Sequence, residues 1–181
     1  MHVTSLKGFI PTLARLVGMT PAALYERQRV LVRAGLLQVK SGRGPGSGVR
    51  LTADTVALLL IAVLASDSLS DTEEKARAVA NLRSVRCPLT GMNTFRAALA
   101  SILASSDLSK RVRSISVTRT GPTAEIDYQG VSDSLEVSQR SSFGTPRERR
   151  LTGIIVGGQI REETLNAITE ALLKQLGEAT A

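Results

Sequence analysis

Apolar positions follow helical spacing over most of the first 108 residues, and period two takes over after residue 111. Between residues 13 and 37, Leu13, Ala14 and Leu16 form one stripe and Leu24 and Leu31 another. Gly18 lies between the stripes and supplies the positive φ that a tight turn needs. Met19 is placed to plug the gap between two helices. Thr20 is a good N-cap, and Pro21 takes the first helical position, where its missing N–H costs nothing. Gly35 is the predicted stop of the second helix. Two β-prone runs, Leu36-Leu37-Gln38-Val39-Lys40 and Val49-Arg50-Leu51, flank the glycine-rich stretch 41–48 and predict a β-hairpin.

Residues 53–66 are apolar nearly all round, so the spacing predicts a helix capped by Thr52 and buried on most sides, against later helices or a second subunit. Ser70 and Glu73 match a capping box opening a helix to about Val85. Residues 87–92 read as a connection, and Asn93 as the cap of a helix with Phe95, Leu99, Ile102 and Leu103 on one stripe. Beyond Arg111, Ile115 and Val117 alternate with Ser114, Ser116 and Thr118. After a Gly121-Pro122 turn, Ala124, Ile126 and Tyr128 alternate with Glu125 and Asp127. This is a hairpin with one wet face. A short third strand is expected over 135–137, a polar, basic, mobile connection over 138–150, and a strand over 151–156 ended by Gly157-Gly158. An amphipathic helix is expected over 160–176, with Leu165, Ile168, Leu172 and Leu176 on its inner face. No internal repeat is found.

Helix, turn, helix, hairpin is the order of a winged helix-turn-helix, and at this point the sequence resembles that superfamily. The pattern L-A-x-x-x-G-[apolar]-[Ser/Thr], a Leu six after the Gly, then L-x-x-A-G-L-L, is similar to MarR-type and GntR-type regulators. It is carried here by Leu13, Ala14, Gly18, Met19, Thr20, Leu24, Leu31, Ala34, Gly35, Leu36 and Leu37. The resemblance covers about residues 5–52. Where such regulators carry an apolar residue between the two leucines, this chain has Arg27-Gln28. One of the two is therefore expected at the core edge, stem packed and head out. A full first helix is expected to be missing, because few residues precede Pro11; the short lead resembles the MerR type, and the helix after the hairpin is the expected replacement. The fold class is thus α+β. An N-terminal winged helix-turn-helix (1–52) precedes a helical linker or dimerisation region (53–108) and a small α+β domain (110–181), whose antiparallel sheet is backed by a helix.

Charge sharpens this picture. The chain of 181 residues carries a net +7. Residues 1–50 hold eight Lys/Arg against Glu26 alone, whereas residues 51–181 hold fifteen of each sign. The whole excess lies on the segment with the motif, and a basic patch is the electrostatic footprint of nucleic-acid binding. Further basic groups at Arg147, Arg149 and Arg150, and at Lys110, Arg111 and Arg113, read as solvated charge, with an extension of a nucleic-acid surface as the alternative.

With Leu24 and Leu31 inward, the second helix turns Ala22, Ala23, Tyr25, Glu26, Arg29 and Arg33 outward. In winged-helix docking, residues near the start of this helix reach base edges and phosphates. The resemblance therefore implies DNA contacts at Thr20, Ala22, Ala23, Tyr25, Arg27, Arg29 and Arg33. It implies further contacts from the hairpin at Lys40, Arg43 and Arg50, with Arg43 at the tip entering the minor groove or holding phosphates. The stretch 41–48 fits neither G-x-x-x-x-G-K-[S/T] nor G-x-G-x-x-G, so a phosphate loop is not expected.

Catalysis is not expected. The only histidine is His2 and the only cysteine is Cys87, so neither a triad nor a zinc site can be assembled, and no internal disulfide can form. Glu73-Glu74 and Glu162-Glu163 open helices, where acids favour the positive dipole end. No secretory signal is read at the N-terminus, and the ten-residue apolar run 56–65 is too short to span a bilayer. The expected protein is a cytoplasmic, sequence-specific double-stranded DNA-binding transcriptional regulator. It is expected to lack a cofactor, to form a homodimer and to meet any protein partner through its C-terminal region. Alternatives are a mobile-element or phage accessory factor for excision, replication or packaging, and a protein-interaction adaptor using the winged-helix surface.

Overall fold

The computed structural model describes residues 4–40, 48–132, 135–144 and 156–178, with seven helices and six strands among them. Helix α1 (Leu6–Leu16) starts earlier than the apolar stripe suggests and runs through Pro11. Ser5 caps it, its Oγ accepting from the Gly8 N–H at 3.3 Å. Pro11 is exposed and has no N–H to offer the preceding turn, yet Leu6, Phe9, Ile10, Leu13 and Ala14 are all buried. Burial of five apolar side chains outweighs one missing hydrogen bond. Helix α2 (Pro21–Arg33) is capped as expected: Thr20 Oγ1 accepts from the Ala23 N–H at 3.2 Å.

Both helices end in the same way. Gly18 and Gly35 adopt φ of 70° and 69°. Met19 N–H donates to the Ala14 carbonyl at 2.8 Å, and Leu36 N–H to that of Leu31 at 2.9 Å. These are Schellman closures, which need a residue tolerant of left-handed backbone just past the helix. Strands β1 (Val39–Lys40) and β2 (Gly48–Val49) then pair antiparallel. A bridge between Ser5 and Arg50, with Leu51 N–H donating to the Thr4 carbonyl at 2.9 Å, adds a third extended segment beside the hairpin.

Helix α3 (Ala53–Ala65) is the hub. Thr52 and Thr55 cap it reciprocally, with N–H to Oγ1 distances of 3.0 and 3.1 Å. From Val56 to Ile61 every side chain is fully buried. Its neighbours are α2, α4 (Thr72–Ala80), α5 (Phe95–Leu103), and strands β3 (Val112–Thr118) and β6 (Gly157–Arg161). The expected Ser70–Glu73 capping box does not form. Ser70 Oγ lies 2.8 Å from Ser68 Oγ, and α4 starts after Asp71, whose carboxyl is held below its usual range by Lys75 and Ser68. Helix α4 also stops at Ala80 rather than near Val85, which is fully exposed. Thr94, not Asn93, caps α5, and a short α6 (Ser106–Arg111) closes the helical region.

Strand β3, with β4 (Thr123–Ser132), β5 (Leu135–Phe143) and β6, makes an antiparallel sheet of order β5-β4-β3-β6. Period-two alternation is followed closely. Val112, Ile115, Val117, Ala124, Ile126, Tyr128 and Phe143 are buried, whereas Asp127 and Arg140 face each other on the wet side at 2.6 Å. That contact holds the Arg140 guanidinium above its ordinary pKa. Phe95 of α5 packs its ring 5.5 Å from Phe143. Helix α7 (Glu162–Glu178) covers α1, α5, α6 and part of the sheet, burying Leu165, Ile168, Thr169 and Leu172. The buried residues form one contiguous cluster from Leu6 to Leu172.

Two sheet expectations are corrected. The third strand runs on through the polar residues 138–142 to Phe143, because each pairs with β4 regardless of hydropathy. Gly157 and Gly158 do not end a strand; they start β6, opposite Thr118 and Val117. The expected strand over 151–155 lies outside the described residues. A Cβ on Gly158 would fall 2.8 Å from the Leu64 carbonyl oxygen and 3.0 Å from its Cα, so β6 passes too close to α3 for any side chain. Gly158→Ala is expected to lower the unfolding free energy by about 1–3 kcal/mol through overpacking; an unchanged urea midpoint would count against this contact.

Candidate nucleic-acid interface

Helix α2 divides cleanly. Leu24, Arg27, Gln28 and Leu31 are buried, while Ala22, Arg29 and Arg33 are exposed and Tyr25 and Glu26 half-buried on the opposite side. The buried set contains a correction. Arg27 is 8% exposed and Gln28 7%, so both lie inside, where one was expected to reach out. Arg27 donates from Nη2 to the Asp67 carbonyl at 3.3 Å. It is therefore not available on the outward face, and it leaves the predicted contact set. Space opened by α3 and the loop after it accepts the long stems, and the guanidinium finds a carbonyl rather than water.

Gln28 Oε1 and Arg27 Nε are buried without a hydrogen-bond partner. An orphaned polar atom costs about 1–3 kcal/mol relative to a paired one. Gln28→Met keeps the side-chain length and removes the orphan. It is expected to raise stability by about 1 kcal/mol in denaturant unfolding; a loss would mean that Gln28 has a partner in solution.

The exposed stripe is less uniformly cationic than the residue types suggest. Arg29 pairs with Glu26 at 3.0 Å on the same helix face. The Lys7 ammonium of α1 sits 5.5 Å from the centre of the Tyr25 ring, a cation–π contact. Lys7 is the residue that sequence pattern missed here, since the contact joins two helices and leaves no spacing signal. Arg33 is exposed in the last turn of α2, as Arg15 is in that of α1, where each also complements the helix dipole.

Lys40 and Arg50, on the hairpin flanks, are exposed, and neither side chain is ion-paired or hydrogen-bonded to another of the described residues. Arg43 lies outside the described residues. Thr20 is engaged as the α2 cap, Ala22 is exposed, and Ala23 is half-buried. The structure therefore groups Thr20, Ala22, Ala23, Tyr25, Arg29 and Arg33 along one helix, places Lys40 and Arg50 on the hairpin, and removes Arg27. The Arg77 guanidinium of α4 donates to the Ala34 carbonyl at 3.0 Å and to Glu73 at 3.1 Å, closing the far end of α2. No family model, curated protein or solved structure matches the chain. No helix among the described residues is long and apolar enough to cross a membrane, and no group of three His, Cys, Asp or Glu there could hold a metal ion.

Such a surface can offer cations and a helix face to a polyanion. Free cations that are not committed to ion pairs are the ones able to exchange counterions for phosphates. Among the described residues Arg33, Lys40 and Arg50 meet that condition, whereas Arg29 must first part from Glu26.

Proposed function

We propose that the chain binds double-stranded DNA through a winged helix-turn-helix formed by its first fifty residues, as a cytoplasmic, dimeric transcriptional regulator. In this reading α1 and α2 are the two helices, the β1–β2 hairpin is the wing, and the Thr4–Ser5 segment is its third strand. The observation that carries the reading is the coincidence of charge and geometry. The entire net +7 lies on residues 1–50, and the outward side of α2 together with the hairpin flanks carries Arg29, Arg33, Lys40 and Arg50. Phosphates would be anchored by Arg33, Lys40 and Arg50. Bases would be met from the start of α2 by Ala22 and Tyr25, and the minor groove by Arg43.

The sparse base-reading chemistry on α2 supports a second reading. Two alanines occupy the start of the helix, and Arg29 is held by Glu26. Backbone and shape contacts then carry most of the affinity, as in an accessory or architectural DNA-binding factor. Selection of duplexes from a random pool by the full chain separates the two: a palindromic consensus supports the regulator, and phased sites with bending support the accessory factor. Absence of duplex binding at about 50 mM salt, where phosphate contacts are strongest, would remove both readings.

A further inference from the structure

We propose that Asp67 ties the C-terminal sheet to α2 and thereby sets the pose of the outward face of α2, an inference that rests on that face being the DNA surface. Asp67 follows α3 by two residues and is gripped from both sides. From α2, buried Arg27 donates to its main-chain carbonyl at 3.3 Å. From the sheet, Arg119 pairs with its carboxylate and donates from Nε to the Leu64 carbonyl at 2.7 Å. The Arg119 side chain is only 14% exposed. Its own N–H donates to the Val156 carbonyl at 2.8 Å, on the chain entering β6. Gly158 of β6 packs against Leu64 so closely that no Cβ fits. The end of α3 is therefore shared by α2, the β3–β4 turn and β6.

Helix α2 has little polar satisfaction to spare. The Asp67 carbonyl is the partner found for the Arg27 side chain, whose Nε is an orphan, and neighbouring Gln28 has an orphaned Oε1. A displacement of Asp67 leaves a buried guanidinium unpaired, which is costly enough to move the helix that carries it. Anything that shifts Arg119 or β6, such as a molecule bound to the sheet, is then felt at α2 through this residue. Asp67 and Arg119 are positioning residues, and the sheet is a regulatory element for the α2 face.

Amide hydrogen exchange on the full chain, with and without a duplex selected from the random pool, tests this. Asp67→Asn keeps the carbonyl that Arg27 uses and removes the ion pair; the Asp67 side chain is 69% exposed, so folding is not at risk. Exchange of α2 amides in Asp67→Asn and Arg119→Met is expected to quicken by at least about twofold more than that of α7, the floor for residues sharing one network. Arg119→Lys should recover part of the loss, and Arg27→Met combined with Arg119→Met should give less than the product of the two single effects. Equal quickening of α2 and α7, or none in α2, overturns the proposal, and Asp67→Asn alone decides it if Arg119→Met fails to fold. Duplex affinity should fall in Asp67→Asn. A chain that binds no duplex while α2 exchange responds as expected overturns the DNA reading and upholds the coupling. Duplex binding with α2 exchange unmoved does the reverse.

Discussion

Leu59→Ala is expected to cost about 2–5 kcal/mol of unfolding free energy, the range for Leu truncations in close-packed interiors. The upper half of that range is expected here. Leu59 is fully buried in the middle of α3, in a run where every side chain from Val56 to Ile61 is buried. Helices α2, α4 and α5 and strands β3 and β6 surround that helix, so no face is free to collapse into the space left behind. A domain of this size has about 5–15 kcal/mol in total, so the variant should unfold at a markedly lower denaturant concentration. Leu69→Ala supplies the contrast. Leu69 is 43% exposed in the loop before α4, and its truncation should change stability by less than about 0.5 kcal/mol. Similar losses from both variants would mean that α3 is not the centre of the packing.

Replacing Arg33, Lys40 and Arg50 together with Gln is expected to weaken duplex DNA binding uniformly across sequences. Each cation that meets a phosphate contributes about 0.9 to the slope of log affinity against log salt, so the slope should fall by about 3. Because that electrostatic contribution fades near 1 M salt, a slope change of 3 corresponds to roughly a 300-fold loss at about 0.15 M. All three side chains are exposed, so the triple variant should fold normally and unfold at the parent's denaturant midpoint. Arg29→Gln should do less than any of the three, because Glu26 already offsets its charge in the free protein. An unchanged slope in the triple variant would show that these residues do not meet phosphates. Arg27→Met separates phosphate contact from helix pose: its guanidinium is buried, so it should leave the salt slope untouched while lowering stability and duplex affinity.

Much of the local structure was legible because it depends on contacts within a few residues. Thr20, Gly18 and Gly35 mark their helix ends through chemistry confined to one turn, and each acts where expected. The all-round apolar helix after Thr52 and the alternation over 114–128 likewise appear in place, since period and polarity are properties of the segment. The candidate surface was legible in part. Which residues of α2 point outward follows from helical spacing, as do the positions of Arg29 and Arg33. Three features were not. Arg27 reads as one more surface cation until the Asp67 carbonyl is brought beside it from forty residues away. Lys7 gains its role only when α1 lies across Tyr25. The pairing of Arg29 with Glu26 was available at helical spacing, and its effect on the free charge shows once the helix face is seen to be exposed.

The boundary between the two kinds of information follows sequence separation. By itself the sequence determined an α+β chain of two N-terminal helices, the second capped by Thr20, and a hairpin, a buried central helix, alternating strands and a closing amphipathic helix, with all excess charge on the first fifty residues. Each rests on intrinsic backbone preference, side-chain period or a count of charges. Only the tertiary structure decided that Pro11 lies inside a helix, that polar residues 138–142 pair as a strand, and that Gly157 and Gly158 enter a sheet. It also decided that Arg27 points inward. In each case a local preference is overridden by burial, by ladder hydrogen bonds or by a close approach of distant backbone. Those energies come from partners that no window of neighbouring residues contains.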